Sequence, residues 1–192
     1  MSVAAAVLAA GRGSRLGGDA SKPLLEWRGR PLVAWALDAV LESGLAPVVV
    51  VVGYRADEVR ATVGTNAEVI ENPEWEEGIA SSLRTVLGFM TPDAAVDAVA
   101  VGLADQPLVG PEAYRRVAAT DGELVIPTYA GQPGNPVKLA RSLWPEALEL
   151  RGDVGARALA RDRAVHVDCT DTGSAADVDT LEDLERLQQE DQ

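Results

Sequence analysis

The sequence predicts an α/β fold of three layers, in which a mostly parallel, twisted sheet carries helices on both faces. Three observations support this prediction. Apolar runs of strand length alternate along the chain with amphipathic segments of helical length. Some of these runs, such as residues 48–52, are continuously apolar, as is typical of parallel strands buried on both faces. The first run, residues 3–8, opens into a glycine-rich loop, where such folds present anion sites.

Composition restricts the size of the fold and the classes of partner. A chain of 192 residues predicts a single domain, residues 1–192, with a net charge of −13 that repels nucleic acid and anionic membranes. We therefore predict neither a nucleic-acid partner nor a membrane partner. The single cysteine, Cys169, leaves no internal disulfide, and the longest apolar run is far shorter than a membrane span. These features predict a cytoplasmic protein.

The periodic pattern predicts the following elements in chain order. Helices are expected at residues 31–42, 56–63, up to residue 90, 111–119, 142–150 and 154–161, with a terminal helix beginning in segment 177–184. Strands are expected at residues 3–8, 48–52, 68–71, 96–103, 123–127, 136–139 and 164–168. Turn residues concentrate between two of these strands, which predicts a small β excursion near residues 128–140.

The glycine-rich loop at residues 9–18 has the chemistry of a phosphate site. Its glycines let the backbone approach a ligand closely, and Arg15 and Lys22 add fixed positive charge. The loop lacks the dinucleotide pattern G-x-G-x-x-G, because Leu16 stands where the third glycine is needed. It also lacks the Walker A pattern, since Pro23 follows the lysine.

The run L-A-A-G-x-x-x-R-x-G at residues 8–17, followed by Lys22, resembles the signature of the MobA/MocA-like nucleotidylyltransferases. These enzymes transfer a nucleoside monophosphate from an NTP to a phosphate acceptor. Further segments resemble the same family: N-x-x-W-x-x-G-x-x-x-S at 72–82, D-x-P at 105–107, Y-x-G-x-x-G-x-P at 129–136, G-D-x-G-A-R at 152–157 and D-x-D-T-x-E-D at 177–183. The resemblance implies a nucleotide-diphospho-sugar-transferase-like, Rossmann-like fold.

The nucleotide site is predicted from the loop, the segment 72–82 and one strand end. The resemblance implies Arg15, Lys22 and Asp105 as catalytic residues. The predicted nucleotide-binding residues are Leu8, Ala9, Ala10, Gly11, Gly13, Lys22, Gly78, Ser81, Ser82 and Asp105. Free N–H groups at the helix start after Gly78 are expected to face the ligand, although an ordinary serine cap explains the same residues.

A metal site is predicted from two aspartates. Asp105 follows a buried strand, and a carboxylate at that end of a parallel sheet faces the ligand crevice, unless it caps the next helix. Mg²⁺ bound to a triphosphate takes one or two protein carboxylates, so Mg²⁺ is the predicted cofactor. The resemblance implies Asp179 as the second ligand, with Asp177 as the alternative and helix capping as the structural explanation.

The second substrate is assigned by resemblance alone. It implies acceptor binding by Tyr129, Gly134, Asn135, Asp153 and Arg157. A helix C-terminus followed by an N-cap at Asp153 accounts for part of the same pattern. The only histidine, His166, lies in an alternating strand and is expected to be structural or exposed.

The motifs L-A-A-G and A-D-Q-P resemble the cytidine-using branch of the family, which implies transfer of CMP from CTP to molybdopterin with release of pyrophosphate. A molybdoenzyme or its maturation chaperone would then be the partner. Alternatives are a guanylyltransferase acting on molybdopterin or another small phosphorylated metabolite, and a sugar-phosphate nucleotidylyltransferase. Outside enzymes, the alternative is a silent nucleotide-binding chaperone that delivers a cofactor.

Overall fold

A computed structural model of the chain describes residues 1–13, 20–160 and 162–189. Its strands are β1 (Val3–Ala9), β2 (Glu26–Trp27), β3 (Arg30–Pro31), β4 (Val48–Val52), β5 (Glu68–Glu71), β6 (Ala98–Leu103), β7 (Leu124–Tyr129), β8 (Gln132–Pro133), β9 (Val137–Ala140) and β10 (Ala164–Asp168). Its helices are α1 (Leu32–Ser43), α2 (Ala56–Val63), α3 (Ile79–Met90), α4 (Pro111–Ala119), α5 (Trp144–Ala147) and α6 (Leu181–Gln189). Within this part of the chain, no helix is long and apolar enough to span a membrane.

The main sheet is mostly parallel, as predicted. Its strand order is β10-β7-β9-β6-β1-β4-β5, with β8 paired to the edge of β7. β4 and β6 flank β1 in parallel, β5 extends β4 in parallel, and β10 runs parallel to β7. β9 is antiparallel to both β6 and β7, so the excursion predicted near residues 128–140 supplies the reversed strand.

Alternating side chains of the central strands build two apolar layers. In β1, Leu8 belongs to one core cluster and Val7 to the other, and both are buried. Helices α3 and α5 cover the first face, and α1, α2 and α4 cover the second. The predicted three-layer arrangement is therefore confirmed. Burial of apolar surface on both faces, at about 25 cal/mol per Å², is the main stabilising contribution.

A smaller cluster ties the C-terminus to the region that follows the glycine-rich loop. Trp27 and Leu32, from the β2–β3 hairpin and α1, pack against Val178 and against Leu187 of α6. The contact holds the segment before α6 against α1 and the β2–β3 hairpin. It thereby brings a C-terminal stretch next to residues near position 22.

Helix α6 begins within segment 177–184, as predicted for the terminal helix. Thr180 and Asp183 form a reciprocal capping pair: the Thr180 N–H donates to Asp183 Oδ2 at 2.8 Å, and the Asp183 N–H donates to Thr180 Oγ1 at 3.1 Å. The helix therefore begins at Leu181, and Asp177 and Asp179 precede it in irregular backbone.

Two predicted helices are shorter in the structure. The expected helix at residues 142–150 is reduced to α5, preceded by a 3₁₀ turn at Arg141–Leu143. Pro145 lies in the first turn of α5, where its missing N–H is tolerated. Similarly, Pro31 precedes α1 as its N-cap residue and is not the first helical residue.

The expected helix at residues 154–161 is a 3₁₀ turn, Ala156–Leu159, and Arg161 lies outside the described residues. Its N-cap is Gly155, so Asp153 does not cap it as predicted. Gly152, which precedes this turn, docks on α3 by accepting a hydrogen bond from the Ala80 N–H.

Candidate active site

The first of two adjoining cavities lies at the carboxyl ends of β1 and β6, beside residues 10–13 at the start of the glycine-rich loop; we call it the loop cavity. Its volume is about 320 Å³. Its lining residues are Leu8, Ala10, Gly11, Gly13, Lys22, Trp75, Gly78, Ile79, Ser82, Leu103, Asp105, Asp153 and Asp179. All the predicted nucleotide-binding residues line this cavity except Ala9 and Ser81. Arg15 lies outside the described residues.

Lys22 joins two aspartates that are distant in the sequence. Its ammonium forms an ion pair with Asp105 Oδ2 and a second with Asp179 Oδ1 at 2.5 Å. The Val178 N–H donates to the Asp105 carbonyl oxygen at 2.9 Å and so holds the C-terminal segment against the end of β6. Burial disfavours the charged ammonium, but the two carboxylates outweigh this effect and raise the pKa of Lys22.

The predicted metal pair, Asp105 and Asp179, therefore converges on a single positive charge. Asp105 Oδ1 is buried and has no hydrogen-bond partner among the described residues. A buried carboxylate oxygen without a donor is energetically costly unless a cation or donor arrives with the ligand. The end of β6 thus offers an acceptor oxygen that no described residue satisfies.

Gln106 follows Asp105 in the sequence and holds neighbouring groups in place through its side-chain amide. It was not among the site residues predicted from the sequence. Its side-chain amide donates to Asp177 Oδ1 at 2.8 Å and to the Ala175 carbonyl oxygen at 2.9 Å. Its own carbonyl accepts from Asn135 Nδ2 at 3.1 Å. Asp177, the alternative metal ligand, is thus engaged with Gln106 and does not line either cavity. Burial, together with the nearby charge of Asp105, raises the pKa of the Asp177 carboxyl.

The start of α3 differs from the prediction of free N–H groups. The Ala80 N–H donates to the Gly152 carbonyl oxygen, and the Ser81 N–H donates to the Gly78 carbonyl oxygen, both at 3.1 Å. Gly78 has a φ of +115°, and a Cβ atom there would lie 2.6 Å from the Gly152 carbonyl carbon. A glycine is required because another chain segment covers this helix end.

Asn72 orients the two serine hydroxyls of α3. Its amide nitrogen donates to Ser81 Oγ at 2.8 Å and to Ser82 Oγ at 3.1 Å. Ser81 in turn donates to the Gly78 carbonyl oxygen, so it is engaged within the protein, whereas Ser82 lines the loop cavity. Of the two predicted serines, only Ser82 is placed to meet a ligand.

An aromatic wall closes one side of the loop cavity. The Trp75 ring lies 5.4 Å from the Tyr54 ring, and the Arg12 guanidinium lies 5.2 Å from that tyrosine ring. Gly53 permits this arrangement, since a Cβ atom there would come within 2.6 Å of Trp75 Cβ. Trp75 was not among the predicted site residues, although the tryptophan of its motif was the available signal. A flat aromatic face in a cavity can stack on a nucleobase.

The second cavity, of about 270 Å³, has an apolar floor; we call it the apolar cavity. Its lining residues are Leu8, Ile79, Leu83, Val101, Leu103, Asn135, Val137, Asp153, Gly155, Ala156, Arg157 and Ala158. Polar groups occur at its edge, from Asn135, Asp153 and Arg157. Leu8, Ile79, Leu103 and Asp153 line both cavities, so a ligand in one would adjoin a ligand in the other.

Two predicted acceptor-binding residues line neither cavity. The Tyr129 hydroxyl donates to the Asn135 carbonyl oxygen at 2.7 Å, and its ring is buried. Gly134 packs against that ring, where a Cβ atom would lie 2.7 Å from it. Both residues shape the turn that presents Asn135. Ala9, a predicted nucleotide-binding residue, points instead into the core on the opposite face of the sheet.

Several known proteins are similar to this chain over almost its whole length. Nicotine blue oxidoreductase from Paenarthrobacter nicotinovorans is 33% identical over 202 residues, covering 96% of each protein. Rv0371c from Mycobacterium tuberculosis H37Rv is 31% identical with a TM-score of 0.82, covering 98% of this chain and 97% of that one. A structure of Rv0371C in complex with manganese matches at 28% identity and a TM-score of 0.80, covering 98% and 99%.

A nucleotidyl transferase from Methanothermobacter thermautotroptrophicus is 26% identical with a TM-score of 0.80, covering 98% of this chain and 97% of that one. The sequence profile of the MobA-like NTP transferase domain matches residues 5–167. These residues include the loop, the end of β6 and the edge of the apolar cavity. The chain therefore belongs to the MobA-like NTP transferase family.

Proposed function

We propose that this protein is a cytoplasmic, Mg²⁺-dependent cytidylyltransferase that transfers CMP from CTP to molybdopterin and releases pyrophosphate. The observation that carries the proposal is the pair of adjoining cavities, one charged and one apolar, with Asp153 between them. In this arrangement the NTP occupies the loop cavity and the acceptor occupies the apolar cavity. A molybdoenzyme or its maturation chaperone would receive the product.

The donor set of the loop cavity fits a divalent cation. Asp105 offers a buried oxygen that has no partner among the described residues, and Asp179 also pairs with the Lys22 ammonium. Among the described residues, no group of three or more acidic, histidine or cysteine side chains could enclose a metal. Two carboxylates suit Mg²⁺, which completes its coordination with phosphate and water oxygens. Manganese in the complex of Rv0371C, 28% identical, supports a divalent cation here.

When bound, the metal would neutralise charge on the triphosphate and the departing pyrophosphate. The protein supplies the remaining charge and the positioning. Lys22 is held charged by its two carboxylates and faces the cavity, where it can bind phosphate oxygens, and Arg15 is proposed to hold the terminal phosphates. Placing the acceptor phosphate in line with the α-phosphorus accounts for the catalysis of such transfers.

No general base is required, because a phosphate monoester is already ionised at neutral pH. The structure is consistent with this chemistry. His166, the only histidine of the sequence, lies exposed on β10 at the edge of the main sheet, and it lines neither cavity. Asp153 stands between the two cavities and is the side chain best placed to orient an acceptor beside the nucleotide.

The preference for CTP is supported by the wall of the loop cavity. Ala10 contributes a methyl group to the lining, close to the contact between Gly53 and Trp75. Its methyl narrows the space available to a base beside Trp75, which favours a pyrimidine over a purine. The apolar floor of the other cavity suits a flat ring system, and its polar edge suits the phosphate of molybdopterin.

The deciding experiment measures pyrophosphate release with each of the four NTPs, Mg²⁺ and molybdopterin. A matched series replaces molybdopterin by sugar phosphates. We expect release with CTP and molybdopterin, and thermal stabilisation by CTP with Mg²⁺. Release with GTP alone would assign a guanylyltransferase, and release with a sugar phosphate would assign a different acceptor. Binding of CTP without release under any condition would assign the cofactor-delivery alternative.

A second candidate is an oxidoreductase, favoured by the 33% identity to nicotine blue oxidoreductase across 96% of both proteins. The glycine-rich loop argues against it, since Leu16 interrupts the dinucleotide pattern. Stabilisation by NADPH or NADH, but not by CTP with Mg²⁺, would favour the oxidoreductase. The same purified protein serves for both measurements.

A further inference from the structure

The segment at residues 150–153 docks on the start of α3 through three hydrogen bonds. Arg84 Nη1 donates to the Leu150 carbonyl oxygen at 2.8 Å. The Gly152 N–H donates to Glu77 Oε1 at 3.3 Å, and the Gly152 carbonyl accepts from the Ala80 N–H at 3.1 Å. Each of these contacts joins residues that are at least 66 positions apart in the sequence.

Glu77 and Arg84 also bind each other. Arg84 Nη1 donates to Glu77 Oε1 at 2.9 Å and Nη2 donates to Oε2, so the pair has the two-pronged geometry of a strong ion pair. Glu74 adds a third carboxylate oxygen at 3.3 Å from Arg84 Nη2. The arginine side chain is only 17% exposed.

The docked segment ends at Asp153, which lines both cavities. Gly78, at the N-cap of α3, also lines the loop cavity and touches the Gly152 backbone so closely that no side chain fits between them. The start of α3 and the segment carrying Asp153 are therefore packed directly against each other. Any displacement of that segment changes how the apolar cavity adjoins the loop cavity.

From these contacts we infer that Glu77 and Arg84 are positioning residues for the acceptor substrate. They touch neither cavity, but they hold the segment at residues 150–153 so that Asp153 meets the acceptor beside the nucleotide. The inference rests on the proposed function, because it assigns the acceptor to the apolar cavity. In this inference, a partly exposed ion pair outside both cavities aligns the two substrates.

The test compares Arg84→Met and Glu77→Gln with the conservative variant Arg84→Lys. We expect the KM for molybdopterin to rise about tenfold in the first two variants, while the KM for CTP changes less than twofold. Arg84→Lys keeps the charge and should recover part of the acceptor affinity. The matched control is Arg116→Met, which removes a similar two-pronged ion pair with Asp171 in another part of the molecule.

A second readout does not require turnover. Trypsin cleaves after Arg151 and Arg157, on either side of Asp153, and mass spectrometry follows each fragment. We expect cleavage at these two sites to be at least about fivefold faster in Glu77→Gln and Arg84→Met than in the wild type and in Arg116→Met. Unchanged cleavage at both sites would overturn the inference, even if the wild type proved inactive.

The outcomes separate the two proposals. An inactive wild type whose variants are cleaved faster contradicts the proposed function and leaves the docking role of the pair supported. An active wild type whose variants keep the same KM for molybdopterin contradicts the inference alone. An equal rise of both KM values, with a lower unfolding temperature, also contradicts it, because the pair would then stabilise the whole fold.

Discussion

The loop cavity and the apolar cavity are lined by residues of different chemical character. The loop cavity is formed where parallel strands end and carries Lys22, Asp105 and Asp179 in direct contact. The apolar cavity is formed by core side chains beneath the reversed strand β9, and its polar groups occur only at the edge. This difference is the basis of our proposal that the reaction takes place in the loop cavity and that the apolar cavity selects the acceptor.

The largest effect is expected for Asp105→Asn. The change preserves the volume of the side chain but removes the charge that pairs with Lys22 and that would bind the metal. Pyrophosphate release should fall by about a thousandfold, within the range seen when a charged transition-state contact is lost. Circular dichroism and the unfolding temperature serve as controls for the fold. A variant that keeps a tenth of the wild-type rate would contradict the assignment.

A smaller and more selective effect is expected for Arg157→Ala. Arg157 lies at the edge of the apolar cavity, and its guanidinium keeps further donors beyond its bond to the Pro133 carbonyl oxygen. Loss of one charge-assisted hydrogen bond, about 1.5–3 kcal/mol, should raise the KM for the acceptor roughly tenfold or more. The KM for CTP should stay unchanged, and an equal change in both would remove the distinction between the cavities.

The converse selectivity is expected for Trp75→Ala in the loop cavity. Stacking of a base on an aromatic ring contributes about 1–3 kcal/mol, so the KM for CTP should rise by about fivefold or more. The KM for the acceptor should not move. Trp35→Ala is a suitable control, since that tryptophan packs against Trp27 away from both cavities. If both substitutions raised the KM for CTP equally, the effect would come from lost packing and not from a lost contact with the base.

The smallest expected effect is a pH dependence of the unfolding free energy that arises from Asp183, in the first turn of α6. Hydrogen bonds from Thr180, and then from the Asp179 N–H, lower the pKa of the Asp183 carboxyl below its usual 3.8. A lowered pKa stabilises the folded state above pH 3.8, and this contribution is lost as the pH falls through the folded-state value.

Denaturant unfolding of the wild type and of Asp183→Asn tests this prediction. Their difference in unfolding free energy should be constant from pH 7 to about pH 4 and should shrink below pH 4. Asp57, whose side chain is fully exposed, supplies the control variant Asp57→Asn. A difference that grows as the pH falls would mean that the sign of the linkage is wrong.

Much of the fold was predictable because its signals are local. Strand β4, strand β5, helix α2 and helix α4 have the predicted bounds, since each is a short apolar or amphipathic run between turn residues. The helices predicted at 142–150 and 154–161 are shorter in the structure, and Gly152, which lies between them, docks on α3. Tertiary contacts of this kind leave no periodic signal in the sequence.

The candidate site divides in the same way. Residues with a chemical type and a motif, such as Lys22, Asp105 and Asp179, were identifiable from the sequence. Trp75 and Gln106 belong to motifs identified in the sequence but were not predicted as site residues, because their roles depend on the residues that they contact. Tyr129 and Ser81 were selected from motifs, but the fold directs their hydroxyl groups toward the protein interior.

The order of apolar runs and the charged, glycine-rich loop were enough to determine the α/β architecture, the family resemblance and the types of group available for catalysis. Only the tertiary structure decided that Lys22 lies between two aspartates, that Gly152 covers the start of α3 and that two cavities share Asp153. The reason is physical: local sequence governs backbone conformation and side-chain chemistry, whereas contacts between distant segments depend on how the finished layers pack.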